Sequence, residues 1–420
     1  AVAEAVRSTL GPKGMDKMLV DSMGDVTITN DGVTILQKMD IDNPTAEMVI
    51  EVAETQEDEA GDGTTTAVAI TGELLKNAQD LIEQDIHPTA IIRGFNLASE
   101  KAREEVFNIA ESVDADDEDT LRKVAETSIT GKGAEVNKDV IANLVVDAVK
   151  AVTVVSDDGG NIVDLEYVNV ETQTGRSVGE SELLTGSVVD KDPAHDDMPW
   201  SVEDATVLLT NSPIEVDEAD VDTQISVDDP SQLQKFLDKE EEQLREKVAR
   251  IKDSGANVVF CQKGIDDLAQ HYLAKEGILA VRRTKKSDMT FMKEVLGANI
   301  VSDLDDFDAD DLGHGSVARD EEDKLFYVTG SGDEAHGVTL LLRGSTDHVV
   351  DELERGVSDA LEVVTQTVAH GDVLAGGGAV EVEVASRVRD YADSVSGREQ
   401  LAVEAFADAL ELVPRVLAEN

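Results

Sequence analysis

The texture of this chain changes in mirror order along its length, and that order constrains the fold more than any single motif. Helical patterns fill the first section and a mixed stretch follows. An α/β pattern occupies the middle, and a second mixed stretch leads back to helices. Apolar residues at Met48, Val49, Val52 and Ala53, and then at Ala67, Val68, Leu74, Leu75, Ala78, Leu81 and Ile82, fall close to helical spacing. In the middle, residues 206–209, 258–260 and 278–281 read as strands and 265–275 as a helix; beyond it, 338–342 reads as a strand and 346–369 as a long helix. A chain of 420 residues exceeds one average domain. The mirror order therefore predicts a discontinuous, multidomain α and α/β architecture, with the central domain inserted through a hinge module made of two separate stretches.

At the junction of the first two long helical patterns stands Gly61-Asp62-Gly63-Thr64-Thr65-Thr66. It places a carboxylate and three hydroxyls at a helix N-terminus, where unpaired amides and the helix dipole favour an anion and glycine lets a ligand approach the backbone. An Asp/Thr cap after a glycine turn explains the same residues without any ligand. Three other segments have the same double reading. Thr9-Leu10-Gly11-Pro12-Lys13-Gly14 is an ordinary helix stop, or a loop offering amides and Lys13 to phosphate. Residues 28–35, with Asn30-Asp31-Gly32 at their centre, read as a strand, a turn and a continuation, part of a hairpin-like segment around 19–36. Ala375-Gly376-Gly377-Gly378 is a glycine loop before a helical run. No Walker A pattern occurs in the chain.

The charge balance narrows the partners. Ninety acidic against 36 basic residues give a formal charge of −54. Such a surface repels nucleic-acid phosphates and anionic membranes, so neither is an expected partner. Acidity on this scale fits a disordered chain or a folded one adapted to high salt. The 41% hydrophobic content and its clear periodicity favour the second. Cys261, the only cysteine, lies in the apolar run Val258-Val259-Phe260-Cys261 and reads as core. The seven histidines form no close pair of the His-x3-His kind, so no zinc site is expected. Without a signal peptide or a bilayer-length apolar stretch, the reading is a cytoplasmic protein.

Taken in order, Arg7-Ser8-Thr9-Leu10-Gly11-Pro12-Lys13-Gly14-Met15-Asp16-Lys17-Met18-Leu19, Thr29-Asn30-Asp31-Gly32, the Gly61–Thr66 motif, Gly255-Ala256-Asn257-Val258-Val259-Phe260, Gln270-His271-Tyr272-Leu273-Ala274 and Ala375-Gly376-Gly377-Gly378 resemble the group II chaperonins. The resemblance covers essentially the whole chain, and together with the acidity it points to a halophilic archaeon. It implies a helical equatorial ATPase domain from residues 1–115 and 371–420, a small α/β intermediate domain from 116–186 and 338–370, and an α/β apical domain from 187–337 with a helical protrusion. Against the family, an N-terminal segment and a substantial C-terminal part are missing.

The implied chemistry is ATP hydrolysis with Mg2+, K+ being admitted as well. Phosphoryl transfer of this kind needs metal, positioned water and charge neutralisation more than covalent chemistry. Asp62 would bind magnesium, and Leu10, Gly11, Pro12, Gly14, Gly32, Gly63, Thr64, Thr65 and Thr66 would cradle the nucleotide. Gly376, Gly377 and Gly378 would pack on ribose and base, and Lys132 would sense the γ-phosphate. Asp31 would orient the attacking water and Asp359 would activate it. By its residues alone Asp359 reads as a solvated carboxylate opposite the apolar stripe Val350, Leu353, Val357, Leu361, Val364 and Val368.

The family segment from about Val216 into the helix at 231–252 would form a built-in lid, with the very acidic stretch 217–229 as its tip; the later part of that helix reads as docked on its own domain. The implied partners are like or paralogous subunits in a stacked double ring and unfolded protein clients. A chaperonin-like holdase or structural ring protein without ATP turnover is the alternative. Retention of Asp31, Asp62 and Asp359 argues against it.

Overall fold

Capping residues set the frame of the first section. Asn43 accepts from the amides of Thr45 and Ala46 and Pro44 opens the helix Pro44–Ala60, while His87 and Pro88 do the same for Pro88–Ile109. The computed structural model describes residues 2–20, 24, 26–39, 41–130, 137–156, 159–216, 230–331 and 337–420, with residues 230–237 described by backbone alone. Lys132 and the stretch 217–229 lie outside the described residues.

Both ends of the chain share helical cores. Ala98 packs with Val384, Ala385, Val388, Ala392, Val403 and Ala407, so small side chains bring Pro88–Ile109 against Ala379–Ala392 and Glu399–Leu410. Gly94 shows how close this approach is: a Cβ there would lie 2.5 Å from that of Ala402. A second small core joins Val6, Val33, Ile35, Leu36, Val49, Ala53 and Val68.

The chain between Lys17 and Lys38 departs from the hairpin reading. Strands Lys17–Val20 and Val26–Thr29 do pair antiparallel, but residues 32–38 are helical. Asp31 decides this. Its carboxylate accepts the Thr34 amide at 2.7 Å and caps the helix Gly32–Lys38, whose Val33, Ile35 and Leu36 are buried.

The mixed stretches on either side of the middle share one core. Helices Glu118–Ser128, Lys138–Ala151 and Asp347–His370 pack around Leu121, Ala125, Val145, Leu340, Val357, Leu361 and Val364. The strand Val338–Gly344 runs parallel to Val168–Thr174 on one side and antiparallel to Glu182–Thr185 on the other. The apolar stripe read along 346–369 is the buried face of Asp347–His370.

The middle holds a seven-stranded mixed sheet in the order Leu279–Val281, Val258–Cys261, Ser201–Thr210, Gly313–Arg319, Phe326–Gly330 and Ser187–Val189, with Ile300–Val301 also pairing with Ser201–Thr210. Strands read from sequence as apolar runs are buried on both faces, as parallel pairing requires. The helix Pro230–Asp253 seats Leu244, Val248 and Ile251 in this core. Where that unit meets the three-stranded sheet, buried Arg343 donates to Gln173, Glu182 and Asp323.

Candidate nucleotide site

Three chain segments from the first section, one from the first mixed stretch and two from the closing helical section converge on one cavity of about 380 Å³. Its wall is Thr9 to Pro12, Asn30 and Asp31, Asp62 to Thr66, Thr127, Ser128 and Thr130, Gly377 and Leu417.

Backbone geometry explains the central loop. Gly61 ends the helix Pro44–Ala60 at φ +66° and Gly63 opens Thr64–Glu83 at φ +80°, a left-handed region that side chains resist. Gly61 is constrained a second time, because a Cβ there would stand 2.2 Å from the Cβ of Glu362 on Asp347–His370. Between the two glycines, Asp62 accepts the Gly63 amide at 2.7 Å through Oδ1 and the Ser128 hydroxyl at 3.3 Å through Oδ2, while Gln56 donates to its carbonyl at 2.8 Å. No side chain among the described residues caps Thr64–Glu83, so its first turn, carrying Thr64, Thr65 and Thr66, opens on the cavity.

The remaining residues predicted for the site divide into wall and support. Leu10, Gly11, Pro12, Asp31 and Gly377 face the cavity together with the central loop. Gly14 instead closes the loop behind the wall, donating to the Gly11 carbonyl at 2.9 Å; a Cβ on it would lie 2.0 Å from the Thr9 carbonyl oxygen. Gly32 lets the helix start at Asp31 sit against Thr65, whose Oγ1 lies 2.4 Å from where a Cβ would be. Gly378 caps Ala379–Ala392 at φ +81° and packs on Pro414. Gly376 lines a neighbouring cavity of about 400 Å³, bounded also by Lys123, Val363, Thr367 and Asp372 and sharing Asp62, Thr127 and Ser128 with the first. Asp359 is half-buried on Asp347–His370 and does not line either cavity.

Thr9, Asn30, Thr127, Ser128, Thr130 and Leu417 are wall residues that the sequence reading passed over. Thr127, Ser128 and Thr130 carried a signal, three hydroxyls leading into the Gly131-Lys132-Gly133 loop. Leu417 carried none; it enters because Gly11 at φ +88° leaves room for its Cδ2.

The electrostatics of the wall are one-sided. Among the described residues it holds the carboxylates of Asp31 and Asp62 and no basic side chain. A polyphosphate entering alone would meet helix amides and hydroxyls together with the carboxylates of Asp31 and Asp62. With a divalent cation the same donors suit it, since magnesium takes one or two carboxylates plus substrate phosphates. No cluster of three His, Cys, Asp or Glu among the described residues could hold a metal unaided. Far from the cavity, Cys261 is buried and its thiol is pushed up to about 11 by desolvation, which leaves it a packing residue.

A model of the TCP-1/cpn60 chaperonin family matches residues 2–420. Over 420 residues the chain is 76% identical to thermosome subunit 2 of Haloferax volcanii, covering all of this chain and 75% of that protein. It is 71% identical to thermosome subunit beta of Halobacterium salinarum, again over its whole length and 76% of the relative. A second thermosome subunit in each of these organisms is also similar to it. Among solved structures, the open-state monomer of a group II chaperonin from Methanococcoides burtonii superposes with a TM-score of 0.64 at 43% identity, covering 86% of this chain and 84% of that one.

Proposed function

This chain belongs to the TCP-1/cpn60 chaperonin family, and from that premise we propose how its parts serve an ATP-driven folding cycle. It is a group II chaperonin subunit, an ATPase whose turnover drives closure of a double-ring chamber around unfolded protein.

In this reading the cavity between the Gly11, Asp31 and Asp62 loops is where ATP is hydrolysed. The observation that carries it is the convergence of three threonines at a helix N-terminus and two carboxylates on a wall where, among the described residues, no side chain caps that helix and none is basic. Asp62 holds Mg2+, which supplies charge neutralisation when bound. The amides and hydroxyls of Thr64, Thr65 and Thr66 bind the phosphates opposite Leu10, Gly11 and Pro12, and Gly377 faces the nucleotide. Gly14, Gly32 and Gly378 hold the loops at the required approach. Asp31 orients the attacking water. Asp359 activates it, delivered by the helix whose Glu362 already rests over Gly61.

Residues 1–115 and 371–420 serve as the equatorial domain, 116–186 and 338–370 as the intermediate domain and 187–337 as the apical domain. Support comes from cores that pair residues across these breaks: Ala98 with Val403, Leu121 with Val364, and a separate central cluster from Val189 to Val328. The subunit works in the cytoplasm at high salt, in rings with like or paralogous subunits, on unfolded protein clients. Its charge of −54 and its relatives in Haloferax and Halobacterium support this. Among the described residues no helix is long and apolar enough to cross a membrane.

The test is Mg2+-dependent ATP turnover by the full-length particle, run beside sedimentation across a salt series. The expected result is turnover by a ring-sized particle in molar salt, with dissociation as the Debye length grows from about 3 Å at 1 M to about 10 Å at 0.1 M. A ring-sized particle with no turnover in molar salt would overturn the assignment.

A further inference from the structure

The Asp62 side chain is held from two different packed bodies. Its Oδ1 takes the amide of Gly63, in its own loop, and its Oδ2 takes the hydroxyl of Ser128. Ser128 closes the helix Glu118–Ser128 and is only 6% exposed. That helix shares its core with Asp347–His370: Leu121, Ala125 and Ile129 pack in one cluster with Val357, Leu361 and Val364. The loop of Asp62 instead joins Pro44–Ala60 and Thr64–Glu83, whose Val49, Ala53 and Val68 belong to a different cluster. The Asp62–Ser128 bond thus spans the same two bodies whose approach would bring Asp359 to the cavity, and it stands in the partition between the two cavities.

We propose that Ser128 is a positioning residue for Asp62: its hydroxyl fixes the plane of the carboxylate for a divalent cation and makes cation affinity depend on how the helix Glu118–Ser128 is seated. This inference rests on the reading of Asp62 as the metal ligand. A carboxylate oxygen accepts more than one partner, so a hydroxyl on Oδ2 leaves a lone pair for a cation while stopping rotation about the Cβ–Cγ bond. Hydrogen-bond partners of metal ligands act in this way, and losing one costs roughly tenfold to a hundredfold in metal affinity. Because coupling is reciprocal, a cation on Asp62 in turn stabilises the seating of the helix that Ser128 ends.

The experiment is direct Mn2+ binding, followed by electron paramagnetic resonance, to the full-length particle with a non-hydrolysable ATP analogue. The parent, Ser128→Ala, Ser128→Thr and Asp62→Ala are compared, with a melting curve for each. The expected result is about tenfold weaker Mn2+ binding for Ser128→Ala, an unchanged melting temperature, and near-parental affinity for Ser128→Thr, which restores the hydroxyl. Unchanged Mn2+ affinity in Ser128→Ala, with Asp62→Ala defective, overturns the role of Ser128 and leaves the metal reading standing. Parental Mn2+ binding by Asp62→Ala overturns the metal reading and Ser128 with it. Equal losses in the Ala and Thr variants, or a loss matched by a fall in melting temperature, mark Ser128 as a packing residue and overturn the inference.

Discussion

Asp62 and Asp359, the two carboxylates at the centre of the proposed reaction, are anchored in opposite ways. Asp62 sits between two left-handed glycines with a hydrogen bond from the next amide, so the place of its loop follows from a few neighbouring residues and only the turn of its carboxylate is fixed from another body, by Ser128. Asp359 lies in the middle of a 24-residue helix, half-buried and outside the wall of the cavity; its distance from the reaction depends on how a whole body is seated. On the proposed reading, the contrast separates a site formed by local geometry from a group that has to be delivered. Hydrolysis that waits on the second is coupled to motion without any signal beyond geometry.

Removing Asp62 should have the largest effect, because it strikes the preformed part. A bound metal supplies several kcal/mol of charge stabilisation, so Asp62→Ala should lower Mg2+-dependent ATP turnover by at least about a hundredfold. The ring should remain assembled, since the loop conformation belongs to Gly61 and Gly63. Turnover assays paired with sedimentation check both halves, and parental turnover would take Asp62 out of the site.

Asp359→Ala should cost less and cost differently. In the proposed site nucleotide rests on the cavity wall, so affinity should stay near that of the parent while single-turnover hydrolysis slows by roughly tenfold to a hundredfold, the range of general-base catalysis. If hydrolysis is unchanged, Asp359 returns to the solvated face that its sequence position describes and the comparison collapses. Loss of binding and hydrolysis together would indicate misfolding.

This division also marks what was legible in the sequence. Glycines, threonines and an aspartate at a helix boundary write their geometry locally, and the structure brings Gly11, Asp31, Asp62, Thr64, Thr65, Thr66 and Gly377 to one wall. The apolar runs of the central sheet were equally plain, because strands buried on both faces need uninterrupted apolar residues. Asn30-Asp31-Gly32 misled because the same residues make a turn or a helix cap. What settles it is the burial of Val33, Ile35 and Leu36 by elements elsewhere in the chain. Gly14, Gly32 and Gly378 stand at points of close approach and not on the wall of the cavity, a distinction that needs the atom on the other side. Ser128 and Leu417 reach the wall through tertiary packing, which no local pattern records.

The two glycines sharpen the comparison at a smaller scale. An alanine at either position is strained by its positive φ, at about 1–2 kcal/mol. At Gly63 the added methyl would meet little beyond the Gln56 amide at 3.4 Å, whereas at Gly61 it would overlap the Glu362 Cβ at 2.2 Å and push Asp347–His370 away from the loop. Gly61→Ala should therefore lower the melting temperature more than Gly63→Ala. It should also slow hydrolysis more than it weakens nucleotide binding, as expected of a change that keeps Asp359 at a distance. Equal effects from the two substitutions would show that the contact between loop and helix carries no part of the coupling.

The smallest effect expected serves as the control, an ionic tie within one body. Glu105 on Pro88–Ile109 is bonded by Lys101 at 2.5 Å, by Arg387 of Ala379–Ala392 at 2.7 Å and by Asn108 at 3.3 Å. These partners, Lys101 foremost and then Arg387, hold its carboxyl down at about 2. A carboxyl depressed in the folded state binds fewer protons there than in the unfolded chain. Its stabilisation is therefore fully present above the ordinary carboxylate range near 4.5 and is lost as pH falls from there towards 2. The tie joins two helices of the same body, far along the chain from each other, and does not span the Asp62–Asp359 gap. Glu105→Gln should thus lower the melting temperature slightly at neutral pH and flatten its decline between about pH 4.5 and 2, with no change in ATP hydrolysis. Melting curves against pH for parent and variant in molar salt, with hydrolysis measured at neutral pH, check this. Slower hydrolysis in the variant would mean that packing within the helical body also positions the reaction, and the line drawn between a preformed site and a delivered carboxylate would have to be moved.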